Sequence, residues 1–248
     1  MLQAFVNRNS TLKLSISLVL GYSLGTILEV VVASILFDCD STLLRIESLE
    51  YLLEDLLDED EMEQVADITA QGMRGDIPFH VSLERRLEMA DLDHSGIAAF
   101  NELIDTYLSE DSEDLIVDLL ANGHQVYLVS GGLKEVIEAL ARHLGLSESR
   151  VYAVNLLWNE HGQFQAVNPD DPMTQSKEIG LQKDIDTFER PIIAIGDGMT
   201  DARLKDAGIA DVFIAYTEHE RRESVVEKAD YEVEDMQELS DLLEELLC

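Results

Sequence analysis

Apolar positions along this chain fall into two periods. Short aliphatic, β-branched runs at residues 30–37, 125–129, 191–195 and 212–216 have the length and composition of buried strands. Between them, apolar residues recur at helical spacing with charges in the gaps, over residues 43–57, 114–122, 134–144 and 177–183. Residues 151–157 and 162–166 carry two further short strand patterns, spaced as a hairpin would be, and acidic helices close the chain. Strands alternating with helices predict an α/β fold, a Rossmann-like parallel sheet with right-handed crossovers.

One stretch breaks the alternation. From residue 46 to 110 the pattern is helical and acid-rich with no strand signal, interrupted by a turn at Gly75 and Pro78 and continuing through Arg85 and Arg86. Helices alone between two βα units predict an inserted helical cap. The chain then divides into an apolar extension (1–30), a core (31–45 and 111–248) and the cap (46–110). Residues 14–28 are uncharged and follow Arg8 and Lys13, the outline of a signal peptide. Cleavage after Ala33 would remove half of the first strand, and Glu29 ends the stretch short of the ~20 residues a spanning helix needs. Residues 14–29 are therefore expected to form an extra helix packed on the domain, with a membrane anchor or a signal as the alternatives.

Composition narrows the partners. The chain has 248 residues, 46% of them hydrophobic, enough for a sizeable core. With 51 acidic against 17 basic residues the net charge is −34, a field that repels nucleic acid and anionic lipid. Such acidity is expected of a heavily solvated surface, of a kind suited to a salty cytoplasm. An anionic substrate then needs a local patch of cations and N–H groups. Two cysteines, Cys39 and Cys248, match neither a zinc site nor a disulfide framework, which fits the reducing cytoplasm.

The chemistry gathers at three strand ends. The first apolar run stops at Asp38 and Asp40, the second at Ser130-Gly131-Gly132, and the third at Gly196-Asp197-Gly198. In a parallel sheet all three lie on one edge, where ligands collect. Two acids so close need a cation to hold them ionised, and hard oxygen ligands suit Mg²⁺. Asp38 is placed to attack phosphorus and Asp40 to act as general acid, then base. Asp197 would complete the Mg²⁺ shell with Asp38 and the backbone carbonyl of Asp40. Ser130 and the N–H groups of Gly131 and Gly132, at a helix N-terminus, suit a phosphate. Lys177 would balance transition-state charge, and Asp201 would orient Lys177 or a metal-bound water.

Together, Asp38-x-Asp-x-Thr42, Ser130-Gly-Gly, Lys177 and Gly-Asp197-Gly-x-x-Asp201 resemble the four motifs of the haloacid dehalogenase superfamily. With Glu47, Met73-x-Gly-x-x-Pro-Phe79 and Arg86, they are similar in order and spacing to its phosphoserine phosphatase family. The resemblance covers residues 34–243. It implies Mg²⁺-dependent hydrolysis of O-phosphoserine through an aspartyl phosphate, the last step of serine biosynthesis. By the same resemblance Glu47 meets the substrate ammonium, Arg86 its carboxylate, Met73 and Phe79 close the cap, and Thr200 touches substrate or phosphate. The alternatives are another small phosphomonoester, transfer to an acceptor such as homoserine, and a non-catalytic phospho-ligand sensor. The expected partner is a small phosphomonoester, with neither nucleic acid nor membrane, and a homodimer stays open.

Plain readings stand beside these. Glu47 sits among acids that suit a solvated helix face, and Arg86 has neighbours that suit a surface ion pair. Cys39 reads as a small buried filler. Residues 91–102 fit a calcium-loop outline but lack an acid or hydroxyl at the ninth position, so a loop with Ser95 capping the next helix is expected.

Overall fold

The computed structural model describes residues 31–247, Gly75 excepted. In chain order, β1 (Ser34–Phe37) leads into four helices, α1 (Ser48–Glu54), α2 (Glu59–Arg74), α3 (Phe79–Met89) and α4 (His94–Asn101). The chain returns through α5 (Ser112–Ala121), β2 (Gln125–Leu133), α6 (Lys134–His143), β3 (Val151–Val154), β4 (Leu156–Trp158) and β5 (Phe164–Val167). It finishes with α7 (Lys177–Leu181), β6 (Ile192–Gly196), α8 (Met199–Asp206), β7 (Val212–Tyr216), α9 (Glu223–Val226), β8 (Tyr231–Val233) and α10 (Met236–Leu247).

Six strands form one parallel sheet in the order β3-β2-β1-β6-β7-β8. The first strand in sequence is thus central. Ile35, Leu36 and Phe37 are at most 1% exposed, each contributing about 1.5–3 kcal/mol by burial. Past the strand end, the Asp38 N–H still donates to Ile195 O at 2.9 Å, so the ladder itself fixes the first acid. From β1 the chain builds outward through β2 and β3, then returns to the other side at β6. Strand direction of growth reverses beside β1, which is where ligands lodge in open α/β sheets.

Some expected elements differ. Among the described residues the first strand begins at Ser34, with Ala33 adding only its carbonyl, which accepts from Gln125 N at 2.8 Å. The helix expected over 43–57 shortens to α1, since Ser41 adopts a left-handed φ of 51° and Leu44 instead bridges Leu108. The first half of the expected hairpin splits: β3 joins the main sheet, and only β4 pairs antiparallel with β5. Among the expected terminal helices lies β8, an added edge strand. The helix expected over 14–29 lies outside the described residues; among those described, no helix is long and apolar enough to cross a membrane.

The segment between residues 46 and 110 forms helices, as its pattern predicts, and hangs from two adjacent crossings. Ser109 N donates to Leu43 O at 2.9 Å, Arg45 N to Tyr107 O at 2.9 Å, and Ser109 Oγ to Thr42 O at 2.6 Å. The β4–β5 hairpin props it from the core side, with Phe164 N donating to Leu92 O at 2.7 Å. At residues 91–102 the expected capped helix start is present, with a different residue as its cap. Asp93 Oδ1 caps α4 by accepting from Ser95 N at 2.8 Å and Gly96 N at 2.9 Å. Helix then runs through the positions that would have to wrap an ion. The capping residue is Asp93, not Ser95.

Candidate active site

Two of the three strand-end loops meet around one ammonium. Lys177 opens α7, where the Ser176 side chain caps the helix, and is 5% exposed. Its Nζ lies 2.8 Å from Asp38 Oδ1 and 2.7 Å from Asp201 Oδ1. Burial lowers the Lys177 pKa, but the carboxylates of Asp201 and Asp38 outweigh it and hold the lysine charged. Asp201, 2% exposed, accepts from Gly198 N at 3.1 Å through Oδ2. Burial, and then the charge of Asp38, push its carboxyl above the ordinary range against the pull of Lys177. Gly196 makes this approach feasible, because a Cβ there would stand 2.4 Å from Asp201 Cγ.

Asp38 and Asp40 face different surroundings although two residues apart. Asp38 Oδ1 accepts from the Cys39 N–H at 2.8 Å. Asp40 Oδ1 accepts from Ser48 N at 3.0 Å, and a Cβ on Gly132 would lie 3.4 Å from its Oδ2. Desolvation, reinforced by the charge of Glu47, raises the Asp40 carboxyl to about 8. The shift favours its protonated form, the state a general acid requires. Burial and the flanking acids likewise raise the Cys39 thiol well above its usual range, so it stays neutral, a buried filler as expected.

Carboxylate oxygens of Asp38, Asp197 and Asp201 lie within 4.8 Å of one another. The donors are all hard oxygens, the set that suits a divalent cation of the Mg²⁺ or Ca²⁺ type. The Asp40 carboxylate is not among them; it points to Ser48, leaving only its backbone carbonyl for such a role. Asp197 carries a second partner: Arg222 Nη1 pairs with its Oδ2 and also donates to its backbone oxygen at 3.2 Å.

At the end of β2, Ser130 Oγ accepts from Gly132 N at 2.9 Å. The strand runs on to Leu133 and α6 starts at Lys134, so this tripeptide precedes the helix rather than opening it. Phe79 sits over the loop, 3.4 Å from where a Gly131 Cβ would be. Glu47 stands at the rim with Oε1 accepting from Ser41 Oγ at 2.7 Å. Desolvation raises its pKa, and the Ser41 bond opposes this. Arg86, 7% exposed, donates to Glu50 Oε1 at 2.8 Å across α3 and α1.

A family model described as haloacid dehalogenase-like hydrolase matches residues 35–204. The chain belongs to that family. A phosphoserine phosphatase of Arabidopsis thaliana, described as chloroplastic, is 32% identical over 81% of this chain and 68% of its own. A phosphoserine phosphohydrolase-like protein of Francisella tularensis subsp. tularensis SCHU S4 superposes with TM-score 0.78 at 36% identity, over 85% of this chain and 99% of its own. A phosphoserine phosphatase held as a phospho-aspartyl intermediate analogue superposes with TM-score 0.67 at 25% identity, over 86% and 99%. Within the haloacid dehalogenase-like hydrolases the chain thus stands with the phosphoserine phosphatases.

Most residues singled out in the haloacid dehalogenase motifs converge. Asp38, Asp40, Lys177, Ser130, Gly131, Gly132, Asp197 and Asp201 surround one sheet edge. Thr200 is exposed on α8, beside Gly198. The Met73 side chain lies outside the described residues. Arg86 is no surface residue with an i,i+4 partner, as its plain reading had it; it is buried and paired with Glu50. Glu50, Ser41 and Arg222 were not anticipated. Arg222 follows β7, whose end lies on the same edge, and that placement is the one signal that could have found it.

Proposed function

We propose that this chain hydrolyses O-phospho-L-serine to serine and phosphate with Mg²⁺, supplying the final step of serine biosynthesis in the cytoplasm. The observation that carries the reading is the different setting of two close acids: Asp38 lies 2.8 Å from the Lys177 ammonium, while Asp40, two residues on, turns to Ser48 N. The relatives named above support the substrate. Asp38, Asp197 and the Asp40 backbone carbonyl would hold Mg²⁺, which lets an anionic nucleophile approach an anionic phosphate.

In the first step an Asp38 carboxylate oxygen bonds phosphorus as the P–O bond to serine breaks, and the Asp40 proton goes to the departing serine oxygen. Asp40, now a base, takes a proton from water. The hydroxyl bonds phosphorus, the bond to Asp38 breaks, and phosphate leaves with Asp40 reprotonated. Lys177 stays charged throughout and offsets the negative charge gathering on the phosphoryl oxygens. Ser130 Oγ–H and the Gly131 N–H donate to those oxygens, while Phe79 keeps bulk water out. Thr200 completes the rim.

For the amino-acid end, Glu47 offers a carboxylate to the ammonium and Arg86 a guanidinium to the carboxylate. Steady-state assays over a panel of small phosphomonoesters, with and without Mg²⁺, test the reading. Phosphoserine is expected to lead phosphoethanolamine and glycerol phosphates, which lack its carboxylate, by about tenfold or more in kcat/KM, a difference of one charge-assisted hydrogen bond. No preference for phosphoserine would defeat it. Arg86→Ala is expected to raise KM for phosphoserine about 10- to 100-fold while barely moving that for phosphoethanolamine, which lacks the carboxylate. Equal losses on both would remove Arg86 from substrate binding.

A further inference from the structure

Three acids of the cluster share two cations, and the two are held differently. Lys177 is buried and committed to Asp38 and Asp201. That leaves Asp197, 6% exposed, whose carboxylate among the described residues takes its cation from Arg222 alone. Arg222 is not locked in. It precedes the four-residue α9, its side chain is 30% exposed, and its remaining charge partner is the exposed Glu220 at 3.9 Å.

We propose that Arg222 is a built-in stand-in for the divalent cation, occupying Asp197 until a metal ion displaces it toward the acidic rim. The inference rests on the metal reading given above. Its physical basis is exclusion. A guanidinium bonded to both the carboxylate and the backbone oxygen of Asp197 claims the groups a metal ion would approach, and it repels a doubly charged ion arriving beside it. The metal-free protein thereby avoids a buried, uncompensated carboxylate. The consequence is a weakened apparent metal affinity, because only the fraction of molecules with Arg222 swung away is competent to bind.

The opposite role is equally definite. If Arg222 merely orients Asp197 for the metal, deleting it must loosen binding. Titration calorimetry of the full chain with Mg²⁺ alone, without substrate, separates the two. Arg222→Gln is expected to bind Mg²⁺ about tenfold tighter than the parent, as it would if Arg222 occupied Asp197 about nine-tenths of the time. Arg222→Lys, shorter and able to make one contact, is expected to fall between them. Melting curves give an independent readout: Arg222→Gln should melt below the parent without metal and draw level at saturating Mg²⁺. Unchanged or weaker Mg²⁺ binding by a folded Arg222→Gln overturns the stand-in role and leaves the phosphatase reading untouched. A parent chain that binds no Mg²⁺ overturns both.

Discussion

Replacing Asp38 by Asn is expected to lower kcat/KM by at least about 10⁴-fold while the protein remains folded. The substitution keeps shape and removes charge. An Asn oxygen can still accept the Cys39 N–H now made to Asp38 Oδ1, so the tight loop after β1 loses no backbone bond. The loss to structure is the ion pair to Lys177 Nζ, whose second carboxylate, Asp201, stays in place at 2.7 Å. What disappears is the proposed nucleophile. A neutral amide oxygen is a poor donor toward phosphorus, and Asp40, in its proposed role as proton carrier, cannot substitute for it. The acid cluster also loses one of its three charges, so Mg²⁺ should bind more weakly. Phosphate release measured beside a melting curve decides the matter. A folded variant that retains more than about 1% of parent activity would eliminate the covalent route through Asp38.

The parts of this protein that were legible from sequence are those set by local pattern. Buried strands such as β1 and β6 announce themselves because both faces are covered, leaving an unbroken apolar run that a polar loop must end. Since parallel strands present those ends on one edge, the convergence of Asp38, Ser130 and Asp197 follows from topology alone. β8 was hidden for the opposite reason: it is a three-residue edge strand with Tyr231 and Glu232 exposed, so no apolar period marks it. The start of α1 was hidden because a left-handed Ser41 and the Leu44–Leu108 bridge are tertiary facts. At residues 91–102 the cap was assigned to Ser95 instead of Asp93, because either side-chain oxygen can accept the first free N–H groups of a helix. Charge partners were the least legible of all. Arg86 finds Glu50 from 36 residues away and Arg222 finds Asp197 from 25, while each sits among nearer acids that make an ordinary surface pair on paper. Burial selects among such partners, and burial is decided by the whole fold.

Lys177→Met should do two kinds of damage, and pH separates them. The catalytic loss is expected to reach about 10³-fold in kcat, the scale of removing a cation that stabilises a phosphoryl transition state. The structural loss is expected to be about 3–5 kcal/mol, since Asp38 and Asp201 remain nearly buried without their shared partner. Asp201 already titrates above the ordinary carboxylate range with Lys177 present, through burial and the charge of Asp38. Without the ammonium it must rise further. A carboxyl whose pKa is higher in the folded than in the unfolded chain stabilises the fold below the unfolded value, and that contribution fades as pH climbs through the folded value. The deficit of Lys177→Met against the parent should therefore be smallest in the acidic range, where Asp201 is protonated, and widen toward and beyond neutrality. Saturating Mg²⁺, by supplying charge to the same carboxylates, should recover part of it. Denaturant melts across pH, with and without Mg²⁺, give the answer. A deficit that neither varies with pH nor responds to Mg²⁺ would mean that the lysine stem fills space and its charge balances nothing.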